Sequence, residues 1–348
     1  MAQPDTLVVG QGLAGTTLAW SLLLRGGRPL VMDAAARPAA SRAAAGLLAP
    51  VGGKRLALAW RAEQAWPAAV RFYREVEDRL GVELLSEAPI VRLFVDPQQR
   101  AEFDRRASGP LGQWLVAEDA GVDPRVFFAP LGGCQVVGGR LDVGRFLDAS
   151  RAEFARRGLL VEEDLPADGL RETEHGVAVD SLGSVLPRVV LCRGLAERDG
   201  RPLPFEPAKG ETLTIRAPGV SEGRVVQRGV WLAPIGNALF RVGATFHPGA
   251  ADVLPTVAGR RELESKLGEL LRLPYEVVDH SAAVRPIVRT RRPIAGALPG
   301  RDRVGVLNGL GASGTLWAPW LAGHYADHLL SGEPLDREID AGVRLAPG

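Results

Sequence analysis

The stretch Gly10-Gln11-Gly12-Leu13-Ala14-Gly15 constrains the fold more than any other part of the chain. Thr6 to Val9 precedes it as a short apolar strand. Thr16 to Arg25 follows with helical spacing of Leu18, Trp20, Leu22 and Leu23, and Gly26-Gly27 stops that helix. Pro29 to Met32 begins a second strand that ends at Asp33, so the first part of the chain reads as one βαβ unit. The three glycines do different things. Gly10 permits the tight turn, Gly12 lets a pyrophosphate approach the backbone, and Gly15 lets the helix pack close to the strand. The helix N-terminus adds unpaired N–H groups and a partial positive charge, and Asp33 is placed to accept from ribose hydroxyls. The pattern predicts a dinucleotide site. It does not separate FAD from NAD.

A chain of 348 residues fits two domains rather than one core. Its 42 basic and 41 acidic residues leave a net charge of +1, which gives no electrostatic ground for a nucleic-acid or anionic-membrane partner. A small-molecule substrate is expected instead, and nothing in the sequence bears on oligomeric state. Two cysteines, Cys134 and Cys192, make neither a disulfide framework nor a zinc site. No basic leader region and no membrane-length apolar run are apparent, so a cytoplasmic protein is expected.

Further along, residues 37 to 50 are rich in alanine and carry the start of a weak helical pattern. Helices are expected over Ala59–Leu80, Pro97–Arg106, Val143–Arg157, Arg261–Leu271 and Thr315–Leu330. Strands are expected at Ile90–Val95, Leu159–Val161, Val177–Val179, Val189–Cys192 and Val304–Leu307. Alternation of Leu213 and Ile215, Val230 and Leu232, and Phe240 and Val242 predicts antiparallel sheet over 211 to 245. Asn308 to Gly314 is a glycine-rich turn that opens a helix.

Four separated stretches together resemble the D-amino-acid oxidase-like family of FAD-dependent oxidoreductases, which includes glycine and sarcosine oxidases. They are the N-terminal turn; Ser41-Arg42-Ala43-Ala44-Ala45-Gly46-Leu47-Leu48; Ala282-Ala283-Val284-Arg285-Pro286 with Arg292-Pro293-Ile294-Ala295-Gly296; and Asn308-Gly309-Leu310-Gly311-Ala312-Ser313-Gly314 with Ala318-Pro319. The resemblance implies an α/β fold with a Rossmann-like FAD-binding domain and a second, antiparallel-sheet substrate domain. The first would comprise residues 1–50, 140–205 and 285–340, and the second 51–139 and 206–284. It also implies non-covalent FAD, because neither cysteine lies near the C-terminal turn. The implied FAD contacts are Gly10, Gly12, Leu13, Ala14, Gly15, Asp33, Ser41, Arg42, Ala45, Gly46, Gly194, Gly311, Ala312, Ser313, Gly314, Thr315 and Leu316. The Gly311–Leu316 turn would lie against the pyrimidine end of the isoalloxazine, where backbone N–H groups favour negative charge on reduction.

By the same resemblance Arg285 grips a substrate carboxylate, a role suited to the planar fork of its guanidinium. Arg289, Arg291 and Arg292 stand close by in sequence. Trp231 and His280 are candidate lining residues of the same cavity. Lys54 is a candidate for charge near the flavin or for binding an anionic substrate, and Gly52 to Trp60 departs from the loop of glycine and sarcosine oxidases. Lys209-Gly210-Glu211 reads as a structural turn. His324 and His328 have metal-ligand spacing but no third ligand, and no metal site is expected. The implied chemistry is oxidation of an amino acid or amine at its C–N bond. Alternatives are an NAD(P)H-dependent flavin reductase or monooxygenase, for which a second nucleotide turn is missing, and a non-catalytic FAD-binding subunit.

Overall fold

A computed structural model of the chain describes residues 3–34, 40–53, 55–166, 168–196 and 203–346. Its first sheet has six strands in the order Leu160–Val161, Pro29–Met32, Thr6–Val9, Val189–Leu191, Arg301–Asn308 and Ile294–Leu298. The first five run parallel and the last is antiparallel. These strands are apolar at consecutive positions because both sheet faces are covered. Val8, Val31 and Val190 point into a core shared with the helices Leu13–Leu24, Ala62–Leu80, Val143–Arg156 and Gly314–Ser331. Leu7, Val9, Val189 and Val306 point the other way. There they meet Val177, Val179 and Leu186 of a small antiparallel sheet, Leu170–Thr173, Gly176–Val179 and Ser184–Leu186.

Leu13–Leu24 is buried nearly all round, as an apolar helix between a sheet and other helices must be. Trp20 Nε1 donates to Ser150 Oγ at 2.8 Å, so even its one polar indole group is satisfied by the neighbouring helix.

The second sheet has nine strands, drawn from 90–93, 115–117, 133–136 and 208–285. One of its faces is closed by the helix Val257–Gly268, whose Leu263 and Leu267 pack on Leu213, Ile215, Leu232 and Val242. The alternation over 211 to 245 thus marks antiparallel strands, as expected. One junction is different: Val226–Arg228 pairs in parallel with Ile90–Leu93, a pairing between distant segments that local alternation cannot signal.

Other differences have local causes. Among the described residues, the alanine-rich stretch forms a 3-10 turn at Ala40–Ala43 and a short strand at Leu47–Leu48 rather than a helix; part of it lies outside the described residues. The long helix starts at Ala62 because Arg61 adopts a left-handed conformation, φ 52°. The helix expected at Arg261–Leu271 spans Val257–Gly268, since the Thr256 side chain accepts from the Gly259 amide and caps it earlier. Lys209-Gly210-Glu211 is not a turn but lies within the strand Ala208–Arg216.

Candidate active site

The glycine turn has the close approaches that its spacing implies. Gly10 has φ +101°, and a Cβ there would lie 2.7 Å from the Cys192 carbonyl oxygen. A Cβ on Gly15 would lie 1.8 Å from the Gly10 carbonyl oxygen, so the helix could not seat. Gly12 occupies the N-cap of Leu13–Leu24 without a side-chain cap, which leaves that helix end to a ligand. Asp33 accepts from the Gln11 amide at 2.8 Å and from Arg151 Nη1 at 3.2 Å. The Arg151 contact, from a helix far off in sequence, had no local signal. Both carboxylate oxygens retain lone pairs for further donors.

Ser41 and Gly46 place the next loop against this turn. Ser41 Oγ accepts from the Leu13 amide at 3.1 Å. Gly46 has φ +77°, and a Cβ there would strike the Leu141 carbonyl oxygen at 1.9 Å. The exposed Arg42 pairs with Asp148 at 2.5 Å, while Ala45 is half-buried. Ala14 packs on the central core. Gly194 follows the neighbouring strand, and its carbonyl accepts from Asn308 Nδ2 at 3.0 Å.

The C-terminal turn closes on the same region. Gly311 has φ +55°, and its amide donates to the Pro286 carbonyl at 3.3 Å. Ser313 forms the N-cap of Gly314–Ser331 without a side-chain cap. A Cβ on Gly314 would lie 3.0 Å from Leu13 Cδ2, Thr315 Oγ1 donates to the Leu47 carbonyl at 2.6 Å, and Leu316 is fully buried. Ala312 is exposed at the tip. Tyr73 OH donates to the Thr315 carbonyl at 2.9 Å. Four stretches scattered along the chain therefore meet around two helix N-termini whose own N-cap residues give no side-chain cap, the first with only its Leu13 amide taken by Ser41. The glycine cradle and Asp33 fit the adenosine diphosphate part of FAD, and the second helix end fits its flavin part.

Arg285 ends the strand Glu276–Arg285 immediately before this junction. Its guanidinium lies flat over Gly210, where a Cβ would come within 2.3 Å of both Nη atoms. Nη1 donates to the Thr245 carbonyl at 3.4 Å, and the guanidinium sits 5.8 Å from the centre of the Phe246 ring. Burial lowers its pKa from the ordinary value. Among the described residues no carboxylate stands at ion-pair distance from it.

Strand parity sorts the other candidates. Trp231, Gly243, Thr212 and Ser281 are direct neighbours across the sheet and share one face. Arg285 lies on that face too, in line with Ser281 and Ala283, and the Trp231 indole covers Gly243. His280 is on the other face. Its Nε2 is 2.8 Å from Glu211 Oε2, beneath the helix Val257–Gly268. His280, half-buried, is engaged there by Glu211 and lies on the opposite sheet face from Arg285 and Trp231. Alternation within the strand would have separated them.

Lys54 lies outside the described residues; the preceding Gly53 carbonyl accepts from Arg92 Nη2 at 2.7 Å. His324 accepts from the Asp336 amide at 3.1 Å and His328 Nδ1 lies 2.6 Å from the Glu333 carbonyl, so the pair is engaged separately. No cluster of three metal-ligating side chains occurs among the described residues. Of Arg289, Arg291 and Arg292, Arg292 pairs with Glu338 and Arg289 with Glu206 at 3.6 Å. Neither cysteine is in a disulfide, and no helix of the described residues is long and apolar enough to cross a membrane.

The chain is similar to curated proteins over nearly its whole length. It is 28% identical to the tRNA 5-methylaminomethyl-2-thiouridine biosynthesis bifunctional protein MnmC of Azoarcus sp. (strain BH72), over 99% of this chain and 60% of that protein. It thus spans less than two thirds of that relative. It is 25% identical to the glycine oxidase of Bacillus licheniformis over 96% of this chain and 95% of that one. In fold it matches the glycine oxidase of Bacillus cereus ATCC 14579 with a TM-score of 0.79 at 19% identity, covering 97% of each chain. It also matches iminodiacetate oxidase from Chelativorans sp. BNC1 with a TM-score of 0.73 at 23% identity, covering 95% and 96%. The family profile that matches residues 5–328 is that of the DAO FAD dependent oxidoreductases. With the glycine cradle, the Ser41–Gly46 loop and the C-terminal turn assembled at one place, the chain belongs to the DAO family of FAD-dependent oxidoreductases.

Proposed function

We propose that the enzyme oxidises the C–N bond of an amino acid or related amine, with Arg285 gripping the substrate carboxylate. The observation that carries this reading is the Arg285 guanidinium: half-buried, lowered in pKa by burial, without a carboxylate partner among the described residues, and one residue from the carbonyl that holds Gly311. A partly desolvated cation with open donor positions favours a bidentate anion. Trp231 supplies an apolar wall on the same sheet face.

FAD, which the glycine turn, the Ser41–Gly46 loop and the Gly311–Leu316 turn would hold, would supply two-electron oxidation of the C–H bond alpha to nitrogen, accepting the hydride at N5. A neutral amine needs no strong protein base, and its N–H proton passes to solvent as the imine forms. Water then hydrolyses the imine to a carbonyl compound and the free amine or ammonia. The chain's contribution is orientation by Arg285, a wall at Trp231, and the N–H groups of the Gly311–Leu316 turn directed at developing negative charge.

We read the chain as a discontinuous FAD domain, residues 1–50, 140–205 and 285–340, with 51–139 and 206–284 as substrate domain. All six strands of the mainly parallel sheet fall in the first set, and the nine-stranded sheet lies in the second up to its last residue, Arg285. Non-covalent attachment is supported by the positions of Cys134 and Cys192, both outside the Gly309–Thr315 turn.

A second reading places the amine on a larger molecule. It is favoured by the similarity to a protein of tRNA 5-methylaminomethyl-2-thiouridine biosynthesis, while the net charge of +1 supplies no overall attraction for a polyanion. One anaerobic experiment tests both. The FAD-loaded protein is mixed with amino acids, simple amines, NADH and NADPH, and tRNA bearing aminomethylated uridines, and loss of the yellow absorbance is followed. Bleaching by an amino acid that is strongly slowed in Arg285→Ala supports the first reading. Bleaching only by the tRNA selects the second, and bleaching only by NADH or NADPH overturns both.

A further inference from the structure

Arg241 lies on the strand Leu239–Gly243 of the nine-stranded sheet, on the same face as Trp231. It does not pair with a carboxylate among the described residues. Its Nη1 instead donates to two backbone carbonyls of the Ser41–Gly46 loop, Arg42 O and Ala44 O, each at 3.0 Å. Its Nε is buried without a partner among the described residues. Burial lowers its pKa from the ordinary value, and the neighbouring Arg140 guanidinium is likewise desolvated. The carboxylates of Asp279 and Asp142 offset this burial only through space, without a hydrogen bond, and a desolvated cation with an orphaned donor does little for fold stability by itself.

Its position suggests what it does. In a trans peptide the C=O and the following N–H point in opposite directions. Arg241 draws the Ala44 carbonyl toward the sheet, so the Ala45 amide points away from the sheet. That amide donates to no backbone acceptor among the described residues. On its far side the same loop is docked on the glycine turn by Ser41 Oγ and the Leu13 amide, 3.1 Å apart. A charged donor on a carbonyl also polarises the peptide and strengthens its N–H as a donor.

We propose that Arg241 is a clasp that fixes the Ser41–Gly46 loop so that the Ala45 amide faces bound FAD, and so ties cofactor retention to the sheet that carries Trp231. Arg241 is a positioning residue; it acts through the loop and not on the cofactor itself. The inference rests on FAD binding by this family, and it deepens the role of the Ser41–Gly46 loop.

The test compares the wild type with Arg241→Met and Arg241→Lys. Apoprotein is prepared from each, FAD affinity is measured by the change in flavin fluorescence on titration, and the thermal midpoint of each apoprotein is recorded. Arg241→Met is expected to weaken FAD by tenfold or more while the apoprotein midpoint stays close to that of the wild type. Arg241→Lys, with one ammonium for two carbonyls, is expected to recover part of the affinity. An unchanged dissociation constant in Arg241→Met overturns the clasp. So does a loss of affinity matched by an equal fall in apoprotein stability, with Arg241→Lys no better than Arg241→Met. Failure of the wild type to take up FAD would refute the cofactor assignment instead, so the two failures are distinct.

Discussion

Gly15 and Gly210 show how single missing side chains shape this site. A methyl on Gly15 would sit 1.8 Å from the Gly10 carbonyl oxygen, a clash with backbone that no rotamer relieves. Gly15→Ala is expected to cost about 2–3 kcal/mol and to abolish FAD uptake, checked by thermal melting and by the flavin absorbance of purified protein. Gly210→Ala meets the Arg285 side chain instead, 2.3 Å from both Nη atoms. A side chain moves more easily than backbone, so this variant is expected to fold and bind FAD while Arg285 is displaced. The expected result is a fall in kcat/KM for a carboxylate substrate with little change for the matching decarboxylated amine. Arg285→Ala is expected to lower kcat/KM for the acid by about a hundredfold, the worth of roughly 3 kcal/mol of charge-assisted hydrogen bonding. Equal losses on acid and decarboxylated amine would remove the clamp. Gly15 was legible in the sequence, because its spacing has a mechanical reason. Gly210 was not, since it answers to an arginine on a neighbouring strand.

Secondary-structure elements meet through a buried polar group under the second sheet. Glu211 is fully buried and accepts from the Thr256 amide and hydroxyl, each at 2.8 Å, and lies 2.8 Å from His280 Nε2. The buried Lys209 is 3.7 Å away and pairs with Asp252 at 2.6 Å. Burial alone would raise the Glu211 pKa, but these donors and the Lys209 charge outweigh it and hold the carboxyl below its ordinary value. A depressed carboxyl contributes stability that is present above the unfolded value of 4.5 and is lost as pH falls through the folded one. Stability measured by denaturant titration is therefore expected to decline below about pH 4.5, and Glu211→Gln is expected to flatten that decline. At neutral pH the same substitution leaves Lys209 with less compensation, at a cost of about 3 kcal/mol. Thr256→Ala removes the cap of Val257–Gly268 and is expected to cost about 1 kcal/mol. Alternation identified these strands, but Lys209-Gly210-Glu211 still read as a turn. A polar run with a glycine looks like a loop until the helix that buries it is in place.

At the scale of the molecule, the candidate FAD site draws together segments far apart in the chain. Thr315 reaches Leu47, Tyr73 reaches Thr315, and Gly311 reaches Pro286. Cofactor binding to such a site stabilises the whole assembly by mass action. FAD at a hundredfold excess over its dissociation constant is expected to add about 2.7 kcal/mol. Thermal melts of apoprotein with increasing FAD check this, and a midpoint independent of FAD would contradict it.

Local sequence was enough for the βαβ entry, the glycine geometry at Gly10, Gly12 and Gly15, the acid at Asp33, and the order of motifs that marks the family. These depend on spacing within one turn or one strand, where covalent geometry and period decide the outcome. Strand parity alone separates His280 from Arg285, but which strands lie side by side, and which face a helix covers, was settled by tertiary packing. It set Arg285 with Trp231 and covered the His280 side with a helix, and it joined Ile90–Leu93 in parallel to Val226–Arg228. It also brought Arg241 to the Ser41–Gly46 loop and Arg151 to Asp33. Contacts of this kind link segments far apart in the chain and depend on strand pairing and helix packing. No local period encodes them.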